Sequence, residues 1–85
     1  MQTWDLAAAH RHSSIHRDEV LASEVVLCLY CQQSFPPKQI TEWIDNEQTA
    51  LCPRCGIDSI IGSKSGFPVS DAAFVAAMHA YWFQQ

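Results

Sequence analysis

Cys28-Leu29-Tyr30-Cys31-Gln32 and, twenty residues on, Cys52-Pro53-Arg54-Cys55-Gly56 are the stretches that decide how this chain is read. Two Cys-x-x-Cys pairs at this separation carry the spacing of a zinc site. Each pair forms a knuckle that presents two thiolates to one cation, and the intervening chain turns back to complete a tetrahedral shell of four sulfurs. In the second knuckle Pro53 stiffens the turn, and Gly56 can take the positive φ that lets backbone N–H groups point at sulfur. The first knuckle has Gln32 where the second has Gly56, so the same turn there carries strain.

The expected ligands are therefore Cys28, Cys31, Cys52 and Cys55, holding one structural Zn2+. A shell filled by four thiolates leaves no open position for water or substrate, which argues against a catalytic metal. A thioredoxin-like redox pair would need one Cys-x-x-Cys opening a helix in a βαβ unit, and nothing offers that context twice over. Disulfides would need an oxidising compartment, yet Met1-Gln2-Thr3-Trp4-Asp5 shows no charged-then-apolar signal pattern, so a cytoplasmic location is expected.

A chain of 85 residues reads as a single domain, too short to bury a generous core without a staple. Zinc supplies one: its binding to such a site contributes roughly 10–16 kcal/mol, against about 5–15 kcal/mol of net stability for an ordinary domain. The metal-free chain is expected to be unfolded. Five Lys/Arg against nine Asp/Glu leave a net charge of −4, and four thiolates around one Zn2+ add −2, bringing the loaded chain near −6. That balance argues against nucleic acid, whose binding draws on Lys and Arg neutralising phosphates. The basic cluster His10-Arg11-His12 with His16-Arg17 is diluted by Asp18 and Glu19. No apolar run approaches eighteen residues, so no membrane span is expected.

Period and punctuation divide the chain into three parts. Residues 1–23 read as a helical N-terminal extension, with Thr3 or Ser13 as caps and only loosely periodic apolar residues. His12 and His16 fall one turn apart on such a helix and, with His10, raise a second metal site, but no cysteine or carboxylate is arranged to complete a shell, which favours solvated or capping histidines. Residues 24–62 read as a zinc ribbon of short antiparallel strands. Glu24-Val25-Val26-Leu27 leads into the first knuckle, Pro36-Pro37 interrupts, Ile40-Thr41-Glu42-Trp43-Ile44 and Thr49-Ala50-Leu51 flank a turn at Asp45-Asn46-Glu47, and Ile57-Asp58-Ser59-Ile60-Ile61-Gly62 is the last strand. A treble clef is the rival topology; it would need the second knuckle to open a helix, against the β-branched Ile57, Ile60 and Ile61.

Residues 70–83 read as a C-terminal helix packed on the ribbon, with Ser70 as N-cap and Asp71 at the positive end of the helix dipole. Phe74, Val75, Met78, Tyr81 and Trp82 form an apolar stripe that reads as the core face. The opposite side, Ala72, Ala73, Ala76 and Ala80 with His79 and Phe83, is bare of charge and suits close helix packing, a homodimer through this helix included. The fold class expected is thus a small metal-stabilised α+β domain.

The segment Thr49-Ala50-Leu51-Cys52-Pro53-Arg54-Cys55-Gly56-Ile57-Asp58-Ser59, with Cys28-Leu29-Tyr30-Cys31, Trp43 and Met78-His79-Ala80-Tyr81-Trp82-Phe83, resembles a group of small uncharacterised bacterial cytoplasmic zinc-ribbon proteins. The likeness spans about residues 14–83 and implies a compact metal-bound protein without an established activity. It implies the same four ligands as the spacing.

No Ser/His/Asp set, glycine-rich phosphate loop or clustered carboxylate pair appears outside the turn at residues 45–47, so the chain reads as no enzyme. The function expected is a protein–protein interaction or regulatory module. A nucleic-acid-binding ribbon, with Tyr30 stacking on bases, is the first alternative. A thiol-based redox or zinc-release sensor is the second. Asp58-Ser59 is the one polar pair beside the second knuckle, where Ser59 can donate to a sulfur.

Overall fold

The computed structural model describes residues 4–83. Its elements, in chain order, are α1 (Leu6–Arg11), α2 (Arg17–Ala22), β1 (Val26–Cys28), β2 (Ser34–Phe35), β3 (Trp43–Ile44), β4 (Thr49–Ala50), β5 (Ile60–Gly62) and α3 (Ala72–Phe83). Three-residue 3-10 turns occupy Pro37–Gln39 and Ser63–Ser65. The protein is a small α+β structure with antiparallel strands.

β1 is the middle strand of a three-stranded sheet of order β2-β1-β5, antiparallel on both sides. Val26 lies opposite Phe35 and Gly62, Leu27 opposite Ser34 and Ile61, and Cys28 opposite Ile60. Successive side chains of a strand point to opposite faces, and here both faces are covered. Val26, Cys28 and Ile60 join Val20, Phe35, Ile40, Ala50 and Cys52 in one apolar cluster. Leu27, Leu29 and Ile61 join Ala9, Val69, Phe74 and Met78 in the other. The result is three layers: the cysteines with α2 and the β3–β4 hairpin, the sheet, and α1 with α3.

The N-terminal part is no appendage, since Ala9 and Val20 are fully buried, one in each cluster. It forms two short helices rather than one. Asp5 caps α1 by accepting from the Ala8 N–H at 3.0 Å, while Ser13 donates back to the His10 carbonyl and caps nothing. Thr3 lies outside the described residues. At the other end Asp71, not Ser70, is the N-cap of α3: its carboxylate accepts from the Ala73 N–H at 2.8 Å and its carbonyl from Val75 at 3.0 Å.

The strands are shorter than the sequence suggests. Pro36 and Pro37 fix φ and start a 3-10 turn, which leaves Trp43 and Ile44 as the paired remainder of the stretch beginning at Ile40. After the second knuckle the chain reaches β5 at Ile60 instead of pairing from Ile57, and no helix opens there. On α3, Phe74 and Met78 are fully buried and Val75 and Trp82 partly so, but Tyr81 is 42 % exposed and leaves the expected stripe. Ala72, Ala73, Ala76 and Ala80 are exposed as expected, whereas Phe83 packs edge-on against Tyr30 at 5.0 Å and belongs to the core side. No helix among the described residues is long and apolar enough to cross a membrane.

Candidate metal centre

The two knuckles share one backbone plan. In the first, the Cys28 carbonyl accepts from the Gln32 N–H at 2.8 Å, and the Cys28 N–H donates to the Gln33 carbonyl at 2.9 Å. In the second, the Cys52 carbonyl accepts from Gly56 at 2.9 Å and the Cys52 N–H donates to Ile57 at 3.0 Å. Both turns close through a residue of positive φ, 80° at Gly56 and 61° at Gln32, so the glutamine takes the strained turn that its position demands. Each turn also aims N–H groups at sulfur. Cys31 donates to Cys28 Sγ at 3.5 Å and Arg54 to Cys52 Sγ at 3.4 Å.

The fold sets the knuckles face to face. Cys28 ends β1, Cys52 stands two residues past the end of β4, and the four Sγ atoms lie within 4.8 Å of one another. Cys28 and Cys55 Sγ are 3.5 Å apart, and Cys31 and Cys52 Sγ 3.8 Å. A zinc–thiolate tetrahedron with bonds of about 2.3 Å has edges of about 3.8 Å, whereas a disulfide would bring two sulfurs to about 2.05 Å. The four cysteines are free thiols positioned to bind a metal ion. Cys28 and Cys52 are buried; Cys31 and Cys55 are half-buried.

The cage shifts three of its four thiols. Burial pushes the Cys31 thiol up, with the adjacent Cys28 sulfur adding to it against an N–H bond from Gln33. Burial likewise pushes Cys55 up to about 12, helped by Cys28 and Cys52. Cys52 moves down: burial alone would raise it, but N–H groups of Arg54 and Cys55 and the neighbouring thiols outweigh that. Cys31 and Cys55 thus hold their protons more tightly than ordinary thiols; a bound metal ion would have to displace them, so affinity would rise with pH.

Ser59 completes the surroundings. It is fully buried, and its Oγ stands 3.3 Å from Cys28 Sγ, the contact with sulfur that its place in the sequence suggested. Asp58 is exposed.

The histidines do not gather. His10 stacks edge-on against Trp82 at 4.0 Å, and His12 Nδ1 pairs with Glu19 at 2.9 and 3.0 Å. His16 is 5 % exposed, with Nδ1 donating to the His12 carbonyl at 2.7 Å and Nε2 accepting from the Ala50 N–H at 3.1 Å. Among the described residues the four cysteines are the group of ligand-type side chains close enough to share a metal. A cleft of about 470 Å³ near the N-terminus, lined by Arg11, His12, Ile15, Arg17, Glu19 and others, mixes both charges and lies apart from the cysteines. Sequence reasoning missed His16 as an anchor, because a histidine that bonds backbone on both sides has no motif.

Comparison with protein-family models, with curated proteins and with solved structures returned no match.

Proposed function

We propose that this protein is a non-enzymatic module built around one structural Zn2+ held by Cys28, Cys31, Cys52 and Cys55, in a zinc-ribbon arrangement, and that it acts by binding another protein. The observation that carries the reading is the set of Sγ separations across the knuckles, 3.5 Å for Cys28–Cys55 and 3.8 Å for Cys31–Cys52, which match the edges of a tetrathiolate cage. A chain that runs from the second knuckle into β5 supports a ribbon over a treble clef. Four thiolates saturate zinc, so the metal would contribute stability and no Lewis-acid chemistry. With a net charge of −4 before metal, a protein partner fits better than nucleic acid. The uncharged outer face of α3, with Ala72, Ala76 and Ala80 exposed, is where a partner or a second copy would meet it.

Elemental analysis and native mass spectrometry of the purified chain test this. The expected result is one zinc per chain, lost with cooperative folding in each Cys→Ser variant. A folded metal-free protein with two disulfides would overturn it. The half-buried Cys31 and Cys55 keep the zinc-release sensor as a second reading, distinguished by whether mild peroxide frees zinc from the native protein.

A further inference from the structure

Among the described residues Ser59 brings a hydroxyl to the cysteine cluster, and it does so from a position with no access to water. Three consecutive residues of the first knuckle touch it. The Ser59 carbonyl accepts from the Leu29 N–H at 2.8 Å, its Oγ accepts from the Tyr30 N–H at 3.3 Å, and the same Oγ stands 3.3 Å from Cys28 Sγ. A serine hydroxyl has one proton and two lone pairs. The Tyr30 N–H takes a lone pair, and the proton is left to point at sulfur. A Cys28 thiol could reverse that bond by donating its own S–H. A metal-bound thiolate has no proton, so loading the site fixes Ser59 as donor and turns the contact into a stronger, charge-assisted bond.

We propose, resting on the tetrathiolate reading above, that Ser59 is an outer partner of the metal centre whose hydroxyl donates to the Cys28 thiolate and holds that ligand more firmly than the half-buried Cys31 and Cys55 are held. Cys28 then has two donors, Ser59 and the Cys31 N–H, and lies buried like Cys52, which the Arg54 N–H serves, whereas Cys31 and Cys55 reach the surface. Ser59 is a positioning residue: it acts on the metal through sulfur, as hydrogen-bonded partners of metal ligands do.

The test uses the full chain loaded with 113Cd2+, a spin-active substitute for zinc. A proton–cadmium correlation spectrum should show the Ser59 hydroxyl proton coupled to cadmium through Cys28 Sγ, beside the N–H protons of Cys31 and Arg54. Amide couplings without the Ser59 coupling would overturn the proposal while leaving the tetrathiolate site intact. Failure of the chain to take up cadmium or zinc would overturn both. As a second measurement, Ser59→Ala should release zinc to a competing chelator about 10–100-fold faster, while Asp58→Ala, altered at an exposed neighbour, should not. In the Co2+-loaded form Ser59→Ala should also shift the sulfur-to-metal charge-transfer band. A residue that merely clamps the backbone would lower the melting temperature and leave that band in place, and this outcome too would overturn the proposal.

Discussion

His16 fastens the N-terminal helices to the β3–β4 hairpin. Its backbone N–H donates to the Gln48 carbonyl at 2.7 Å and its ring accepts from Ala50, while its neighbours Ile15 and Arg17 bond Thr49 Oγ1 and the Glu47 carbonyl. Both ring nitrogens are in use, one as donor and one as acceptor, so the ring is held neutral. Burial lowers its pKa, against the opposing pull of the His12 carbonyl and the Glu19 charge. The unfolded chain then takes up a proton that the folded chain refuses. Stability is fully present above the unfolded histidine value of about 6.5 and falls as pH drops below it. Melting temperature should decline between pH 7.5 and 5.5, and much less so in His16→Leu, with zinc retention followed in parallel to separate acid release of metal. The cysteines make a second expectation at this scale. In the native metal-loaded chain, maleimide should modify Cys31 and Cys55 before the buried Cys28 and Cys52, as read by mass spectrometry of tryptic peptides.

At the scale of elements, α3 lends its strength through two residues. Phe74 and Met78 are fully buried against Leu27, Leu29 and Ile61, and Phe74→Ala should cost about 3–5 kcal/mol, with half-buried Trp82→Ala costing less; denaturant melts measure both. Ala76→Glu should shift stability by about 0.5 kcal/mol or less, yet break any close association through that face, which sedimentation would detect. The hairpin loop tells a different story. Asp45, Asn46 and Glu47 all have positive φ, 55°, 58° and 65°, and the left-handed region suits asparagine and aspartate better than glutamate. Glu47→Gly keeps the backbone carbonyl that Arg17 bonds and should raise stability by up to about 1 kcal/mol, visible as a melting temperature a few degrees higher. Asp-Asn made that turn legible in the sequence. The ends of the strands were not, because what stops them is the crossing of β5 to β1 and the 3-10 turn after Pro36, and the first of these is a long-range event. The Asp71 cap was one position away from the expected one, since adjacent serine and aspartate are equally able acceptors and only the direction of the incoming chain chooses between them.

For the whole molecule, the four-cysteine cluster was the most legible feature, because Cys-x-x-Cys fixes its own local geometry and needs only the two knuckles to meet. Ser59, which reaches Cys28 Sγ, was visible as a polar residue beside the second knuckle. The role of residues 6–22 was not: Ala9 and Val20 are single buried residues on helices of six residues each, too short for a periodic stripe to show. Cys28 and Cys52 sit inside one core cluster with Val20, Val26, Phe35 and Ile60, so a bound metal, once removed, would leave crowded thiols in the middle of that cluster. Chelation should abolish the cooperative thermal transition and the dispersion of amide resonances, and zinc should restore both. β1 separates the two clusters as a wall one residue thick, with Val26 and Cys28 turned one way and Leu27 and, just past the strand, Leu29 the other. For sequence drift this wall is the narrowest passage in the molecule. A single residue inserted or deleted there would exchange the two sides at once, and no compensating change on one side alone could repair it, whereas the side chains of the exposed Leu21 and Ile44 are under no such constraint.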